Sequence, residues 1–175
     1  MKDHKKQKKH WPFLRWGNSR GTTTLEMGLL IAPFMLLMVG LFEFGSYFLQ
    51  EHTLQYATRE GMRFALVGGV LQDAQGNPLS REDSIIKTIR DTASTVMDIQ
   101  PANIHIFQVG DNYSNPVGYE TAPNNVGNPA DYMRVVVTYD HQFFTPLIGD
   151  FFSTDGTVTL QAQGTYRNEL FNTGV

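Results

Sequence analysis

Side chains with the chemistry of a catalytic site are few and scattered along this sequence. Cysteine is absent, so neither a disulfide nor a thiolate metal site can form. The five histidines include no H-x-x-x-H or H-E-x-x-H pair of the kind that binds zinc from one helix. Asp140, His141 and Ser153 are the residue types of a hydrolase, but their spacing fixes no catalytic geometry. We therefore predict a protein that is not an enzyme and that uses no metal and no cofactor.

Two glutamates, Glu26 and Glu43, bracket a run of 16 uncharged, mostly apolar residues. A carboxylate in a membrane helix is costly, about 2.5–3.5 kcal/mol at the bilayer centre, so each of them needs a partner. If the chain were cut after Gly21, Thr22 would carry a new α-amine and Glu26 would be the fifth residue of the shortened chain. In a packed filament, that amine can pair with the glutamate of a neighbouring subunit.

The element that must position these carboxylates is an apolar stretch over residues 27–49, whose only charge is Glu43. Its 23 residues exceed the roughly 20 that a helix needs to cross the hydrocarbon core of a bilayer. A cleaved signal peptide is the alternative, but no Ala-x-Ala site follows the stretch. We predict a membrane-spanning helix, kinked near Pro33 because proline removes one backbone hydrogen bond.

Charge is divided sharply along the chain. Seven of the 14 Lys and Arg residues lie within the first 20 positions, whereas from Thr22 onward there are 7 basic and 16 acidic residues, a formal charge of −9. Basic flanks stay on the cytoplasmic side of a membrane, so we predict a cytoplasmic N-terminus and an extracytoplasmic body. The acidic body would repel phosphates, which excludes nucleic acid as a partner.

The pattern of the remaining residues predicts an α+β body. We expect a first helix over residues 22–66, ended by Gly68 and Gly69, and a second helix that starts at Ser80 and closes before Pro101. Three short, apolar-rich or alternating segments predict an antiparallel sheet; they are residues 103–109, 134–140 and 157–167. The predicted division is a basic leader (1–21), the helix (22–66) and an extracytoplasmic domain (67–175).

Two further segments of the body differ in character. Residues 110–130 are rich in Asn, Gly and Pro and predict a long surface loop. Residues 143–152 are too apolar for a solvated loop. We interpret this second segment as part of the core, with an exposed contact patch as the alternative.

Several of these features together resemble the TadE-like family. A basic leader, Gly21, four residues, Glu26 and an apolar helix are similar to the processing site of type IV prepilins. The resemblance continues over Gly40-Leu-Phe-Glu43-Phe-Gly45 and over Ala57-Thr-Arg59-Glu60-Gly61-Met-Arg63. It resumes near the C-terminus with a β-rich segment, a Phe-Thr-Pro-Leu step and a final alternating strand.

The resemblance implies a pilin-like fold and a role in assembly. It implies a minor pilin or pseudopilin of a tight-adherence (Tad/Flp, type IVc) pilus, anchored by a single pass in the bacterial inner membrane and acting in pilus assembly and adhesion. In this reading a membrane aspartyl peptidase cuts between Gly21 and Thr22, and Glu26 sets the register of the filament. The implied partners are the prepilin peptidase, other Tad pilins and pseudopilins, the inner-membrane platform, the assembly ATPase and inner-membrane lipid.

Four charged residues near the outer end of the helix are further candidates for contacts between subunits: Glu43, Arg59, Glu60 and Arg63. The alternative for the last three is a solvated helix end with mixed charge. For the whole chain, the alternative function is an uncleaved single-pass membrane protein whose TadE-like domain scaffolds an envelope or secretion complex.

Overall fold

The computed structural model describes residues 19–170, with side chains described from residue 23 onward. Most of the predicted basic leader therefore lies outside the described residues. The described residues divide into two compact units, the first ending at residue 38 and the second beginning at residue 39.

Helix α1 (Ser19–Leu66) is unbroken in its secondary structure and passes through Pro33. It ends where the sequence predicts, and Gly68, with a φ of +70°, donates its backbone N–H to the carbonyl oxygen of Ala65 at 3.0 Å. Every described side chain from residue 23 to residue 37 is exposed. Within residues 19–170, α1 is the one helix long and apolar enough to cross a membrane, which fits a single-pass membrane protein.

The second unit combines the C-terminal part of α1 with a small domain whose α+β fold class is the predicted one. Its elements are α2 (Arg81–Ala93), a 3-10 turn (Pro101–Asn103), β1 (Ile104–Gln108), β2 (Tyr132–Gln142), α3 (Pro146–Phe152) and β3 (Thr157–Arg167). The strands form one antiparallel sheet in the order β1-β2-β3.

Helix α2 starts as its sequence predicts and ends earlier. The Ser80 hydroxyl accepts the backbone N–H of Asp83 at 2.9 Å, which caps the helix. The helix ends at Ala93, where the Ser94 hydroxyl donates to the carbonyl oxygen of Asp91 at 2.8 Å and competes with the helical pattern. Met97 is buried although it lies beyond the helix.

Strand β3 confirms the predicted alternation. Leu160, Ala162 and Tyr166 are buried, whereas the residues of the opposite face, the alternate positions from Thr159 to Thr165, are exposed. A main core forms where buried residues of α1, α2 and the sheet meet. The opposite face of the sheet carries a smaller cluster in which Tyr119, from the long loop, packs against Phe107. The predicted surface loop thus also covers part of the sheet.

The interpretation of residues 143–152 as core is wrong for most of the segment. Phe143 is buried, but Phe144, Leu147, Phe151 and Phe152 are exposed. Instead of filling the core, these residues form the short helix α3 and the turn before it, between β2 and β3. An apolar run indicates that burial of a segment would be favourable. It does not show whether the core of the same chain or another partner buries the segment.

Candidate functional site

The predicted processing site lies at the start of α1. Because the helix begins at Ser19, the Gly21–Thr22 peptide bond falls in its first turn. The side chain of Thr22 lies outside the described side chains, whereas Glu26 is described and is exposed on the helix surface. The predicted roles of Gly21 and Thr22 in processing and of Glu26 in filament register stay predictions.

Glu43 is buried, with a relative exposure of 1%, although its neighbours Phe42 and Phe44 are exposed. Its carboxylate accepts two backbone N–H groups, that of Phe144 at 3.1 Å and that of Thr145 at 2.5 Å. Charge-assisted bonds of this kind are among the stronger hydrogen bonds in proteins. The partner that the sequence required for this carboxylate is therefore the backbone of the chain's own β2–α3 connection.

One turn and two turns further along α1, aromatic and polar side chains continue this contact. Tyr47 stacks on Phe143, with ring centroids 6.3 Å apart, and meets His141 edge-on at 5.5 Å. The side chain of Gln50 lies 2.6 Å from Nδ1 of His141, through its Oε1 atom. Since that amide oxygen can only accept, this contact requires a proton on Nδ1, while Nε2 is buried and has no hydrogen-bond partner among the described residues.

The environment of His141 favours its neutral form. Burial lowers the pKa of His141, and the negative charge of Glu43 opposes that shift. The buried ring therefore serves the packing of strand β2 against α1. Among the described hydrogen bonds, the Ser153 hydroxyl donates to Asp155 at 2.8 Å and Nδ1 of His141 contacts Gln50, so neither bond joins Ser153 to His141.

The charged end of α1 has two distinct faces. Ala57, Gly61 and Ala65 recur every four residues and are all buried. A Cβ atom built on Gly61 would overlap the side chain of Ile89, so glycine is what allows α1 and α2 to approach each other. The sequence places Gly61 in the Arg-Glu-Gly motif without showing this packing role.

Arg59 and Arg63 lie on the other face and are exposed, as the four-residue spacing predicts. Arg63 forms an ion pair with Glu60 at 2.6 Å on the same helix. Contacts of Arg59, Glu60 and Arg63 with another subunit stay predictions, and so does such a contact for Glu43, whose burial does not favour it.

The partners of Glu43 are not visible in the sequence. The backbone donors of Phe144 and Thr145 are about a hundred positions away from Glu43, and no side-chain pattern marks them. Among the residues with described side chains, no group of three His, Asp or Glu is placed to hold a metal ion. This arrangement can anchor the β2–α3 connection on Glu43 and pack α1 against α2. It also leaves the charged side chains of Arg59 and Arg63 exposed for contacts.

Comparison with known proteins gives a match to the N-terminal part of the chain. Residues 21–63 match the family model described as TadE-like protein. Among curated proteins and among solved structures, nothing matches this chain. The match starts at Gly21, contains Glu26 and Glu43, and ends at Arg63, so it covers the segment on which the resemblance rests. The resemblance to the TadE-like family is thus confirmed for residues 21–63, and together with the long apolar helix it suggests a membrane protein associated with the Tad pilus.

Proposed function

We propose that this chain is a minor pilin or pseudopilin of a Tad pilus, cut after Gly21 and acting as a structural subunit rather than as an enzyme. The observation that carries the proposal is the TadE-like match over residues 21–63, which begins at the proposed processing residue. The basic leader holds the N-terminus in the cytoplasm, and α1 stores the subunit in the inner membrane. The C-terminal body lies outside the cytoplasm.

The exposed apolar surface of α1 supports a role in packing within a membrane or filament. Leu29, Leu30 and Leu37 are each more than half exposed. Cβ atoms built on Gly40 and Gly45 would meet no atom within 4 Å in the described part of the chain. Small residues beside exposed apolar ones allow a second helix to approach closely. Glu26 lies at the start of this surface, where the α-amine of a processed neighbour would be its partner.

The charged face supports a second contact, outside the membrane. Arg59 and Arg63 point away from the stripe that packs on α2, so another subunit can reach them without disturbing the domain. We assign this face to contacts with other Tad pilins or pseudopilins. The prepilin peptidase, the inner-membrane platform and the assembly ATPase are the remaining partners in the proposal.

The test is piliation of the native host. A strain that lacks this chain should have few or no Tad pili on its surface, counted by electron microscopy, and the wild-type chain should restore them. A double variant, Arg59→Glu with Arg63→Glu, should reach the membrane at the wild-type level yet fail to restore pili.

Lys87→Glu is the matched control. Lys87 is an exposed basic residue on α2, and its only described ion pair is with Asp91 on the same helix. This variant should restore pili fully. Wild-type piliation in the strain that lacks the chain would contradict the proposed function. Full restoration by the double variant would contradict the assignment of the charged face.

A further inference from the structure

Helix α3 and the turn before it carry an exposed apolar surface within the second unit. Phe144 is 79% exposed, Leu147 66% and Phe151 83%. These three side chains define the α3 apolar surface. Asp150 is the one charged residue among residues 143–152. Leaving such side chains in water forgoes about 25 cal/mol for each Å² that could be buried, so this surface calls for an apolar partner.

The position of the surface identifies that partner. Glu43 holds the backbone of Phe144 and Thr145, and the ring of Phe152 meets that of Phe44 edge-on with centroids 6.0 Å apart. Helix α3 therefore lies beside residues 43 and 44 of α1. These residues are still within the apolar stretch, which continues to Leu49, about 9 Å further along a helix that rises 1.5 Å per residue.

The surface of α1 at this level is itself apolar and open. Phe44, Phe48 and Leu49 are all exposed. The α3 apolar surface is thus continuous with helix surface that must face lipid when α1 spans a membrane. A short segment with large apolar side chains and one charge is suited to the boundary between headgroups and acyl chains.

We propose that α3 dips into the lipid bilayer at the C-terminal end of the membrane-spanning stretch and inserts Phe144, Leu147 and Phe151 among the acyl chains. In this arrangement the β2–α3 connection covers the carboxylate of Glu43 and presents apolar side chains to the lipid in its place. This explains why Glu43 is buried although its neighbours on the helix are exposed. The segment fixes how deeply the domain sits on the membrane. The inference needs α1 to span a membrane but does not depend on processing at Gly21 or on a pilus.

The test uses tryptophan fluorescence of the full-length chain in phosphatidylcholine vesicles, with and without bromine on the acyl chains. Trp11 and Trp16, the two native tryptophans, are first replaced by phenylalanine. Phe151→Trp and Leu147→Trp are then introduced separately. Because both positions are exposed, the new indole displaces nothing in the core, and circular dichroism checks that each variant is folded.

Val117→Trp is the control, because Val117 is fully exposed in the loop between β1 and β2. We expect both α3 variants to emit at shorter wavelength than the control and to lose most of their fluorescence in brominated vesicles. The control should keep its fluorescence. These results should not change when the ratio of lipid to protein is raised.

Two outcomes would overturn the inference. Emission from both α3 variants that matches the Val117→Trp control, with no quenching by bromine, would place α3 in water. Blue-shifted emission that bromine does not quench, and that reverts when the protein is diluted in lipid, would show that a second copy of the chain covers this surface instead.

Discussion

The carboxylate of Glu43 accepts the backbone N–H of Thr145 at 2.5 Å, across a sequence separation of 102 residues. This bond, with its companion to Phe144, ties the C-terminal part of the apolar stretch to the connection between β2 and β3. The carboxylate of an acid inside an apolar helix thereby holds the β2–α3 connection against that helix. Within the second unit, it sets where α3 lies along α1.

We expect Glu43→Ala to lower the free energy of unfolding, because two backbone donors lose their acceptor. The expected loss is about 1–3 kcal/mol, the cost of leaving a buried polar group without a partner. It is measured by denaturant unfolding of the full-length chain in detergent micelles. Glu51→Ala, at a half-buried acid of α1 whose described bond is a weak 3.3 Å contact with Gln55, should cost less. Equal losses in the two variants would contradict the structural role of Glu43.

Gly61→Ala should destabilise the domain, since its new methyl group would overlap the side chain of Ile89. Overpacking of this kind typically costs about 1–3 kcal/mol. Gly45→Ala is the matched control on the same helix, because a Cβ atom there meets nothing within 4 Å in the described residues. It should be neutral or slightly stabilising, as alanine is the better helix former.

A double variant makes the Gly61 prediction more specific. If the overlap with Ile89 causes the loss, Ile89→Ala should destabilise the chain less in the Gly61→Ala background than in the wild-type background. Thermal unfolding of the four proteins gives the coupling energy. Strictly additive losses would mean that Gly61 acts through something other than its contact with Ile89.

Stability should depend on pH through His141. Because the folded-state pKa of His141 is lowered from 6.5, the unfolded chain binds more protons than the folded chain as pH falls. The contribution of the neutral ring is therefore complete above about pH 6.5 and is lost as pH falls toward the folded-state pKa. The free energy of unfolding of the wild-type chain should decrease when the pH is lowered below this value.

His141→Asn isolates this effect. Asparagine has no titrating group in the range, while its amide can still donate to Oε1 of Gln50. The variant should be less stable than wild type at neutral pH, but its stability should fall less steeply on acidification. Parallel pH profiles for the two proteins would contradict a buried, neutral His141.

Local sequence patterns predicted the elements well where one signal dominated. The alternation from Val158 to Tyr166 predicted β3 with correct bounds, and Ser80 marked the start of α2 through its cap. The sequence pattern was less informative about the ends of elements that depend on particular contacts. The end of α2 depends on a local hydroxyl bond at Ser94, and Met97 continues the apolar spacing although it lies beyond the helix.

The sequence predicted the charged residues of the site but not the groups to which they bind. A carboxylate inside an apolar stretch indicates that Glu43 must be satisfied, but its partners are main-chain groups, which every residue carries. For the same reason, the sequence identifies residues 143–152 as apolar but does not decide between a place in the core and an exposed contact patch. Their exposure follows from the attachment of Phe144 and Thr145 to Glu43, a contact between distant parts of the chain.

The central claim, a processed Tad pseudopilin, is tested most directly by the N-terminal residue of the protein purified from its native membranes. Intact mass and N-terminal peptide sequencing should give a chain that starts at Thr22, and Gly21→Ala should leave the chain at full length. A wild-type chain that still carries Met1 or Lys2, in cells that process their other prepilins, would contradict the claim. The uncleaved membrane scaffold would then be the better account of the TadE-like segment.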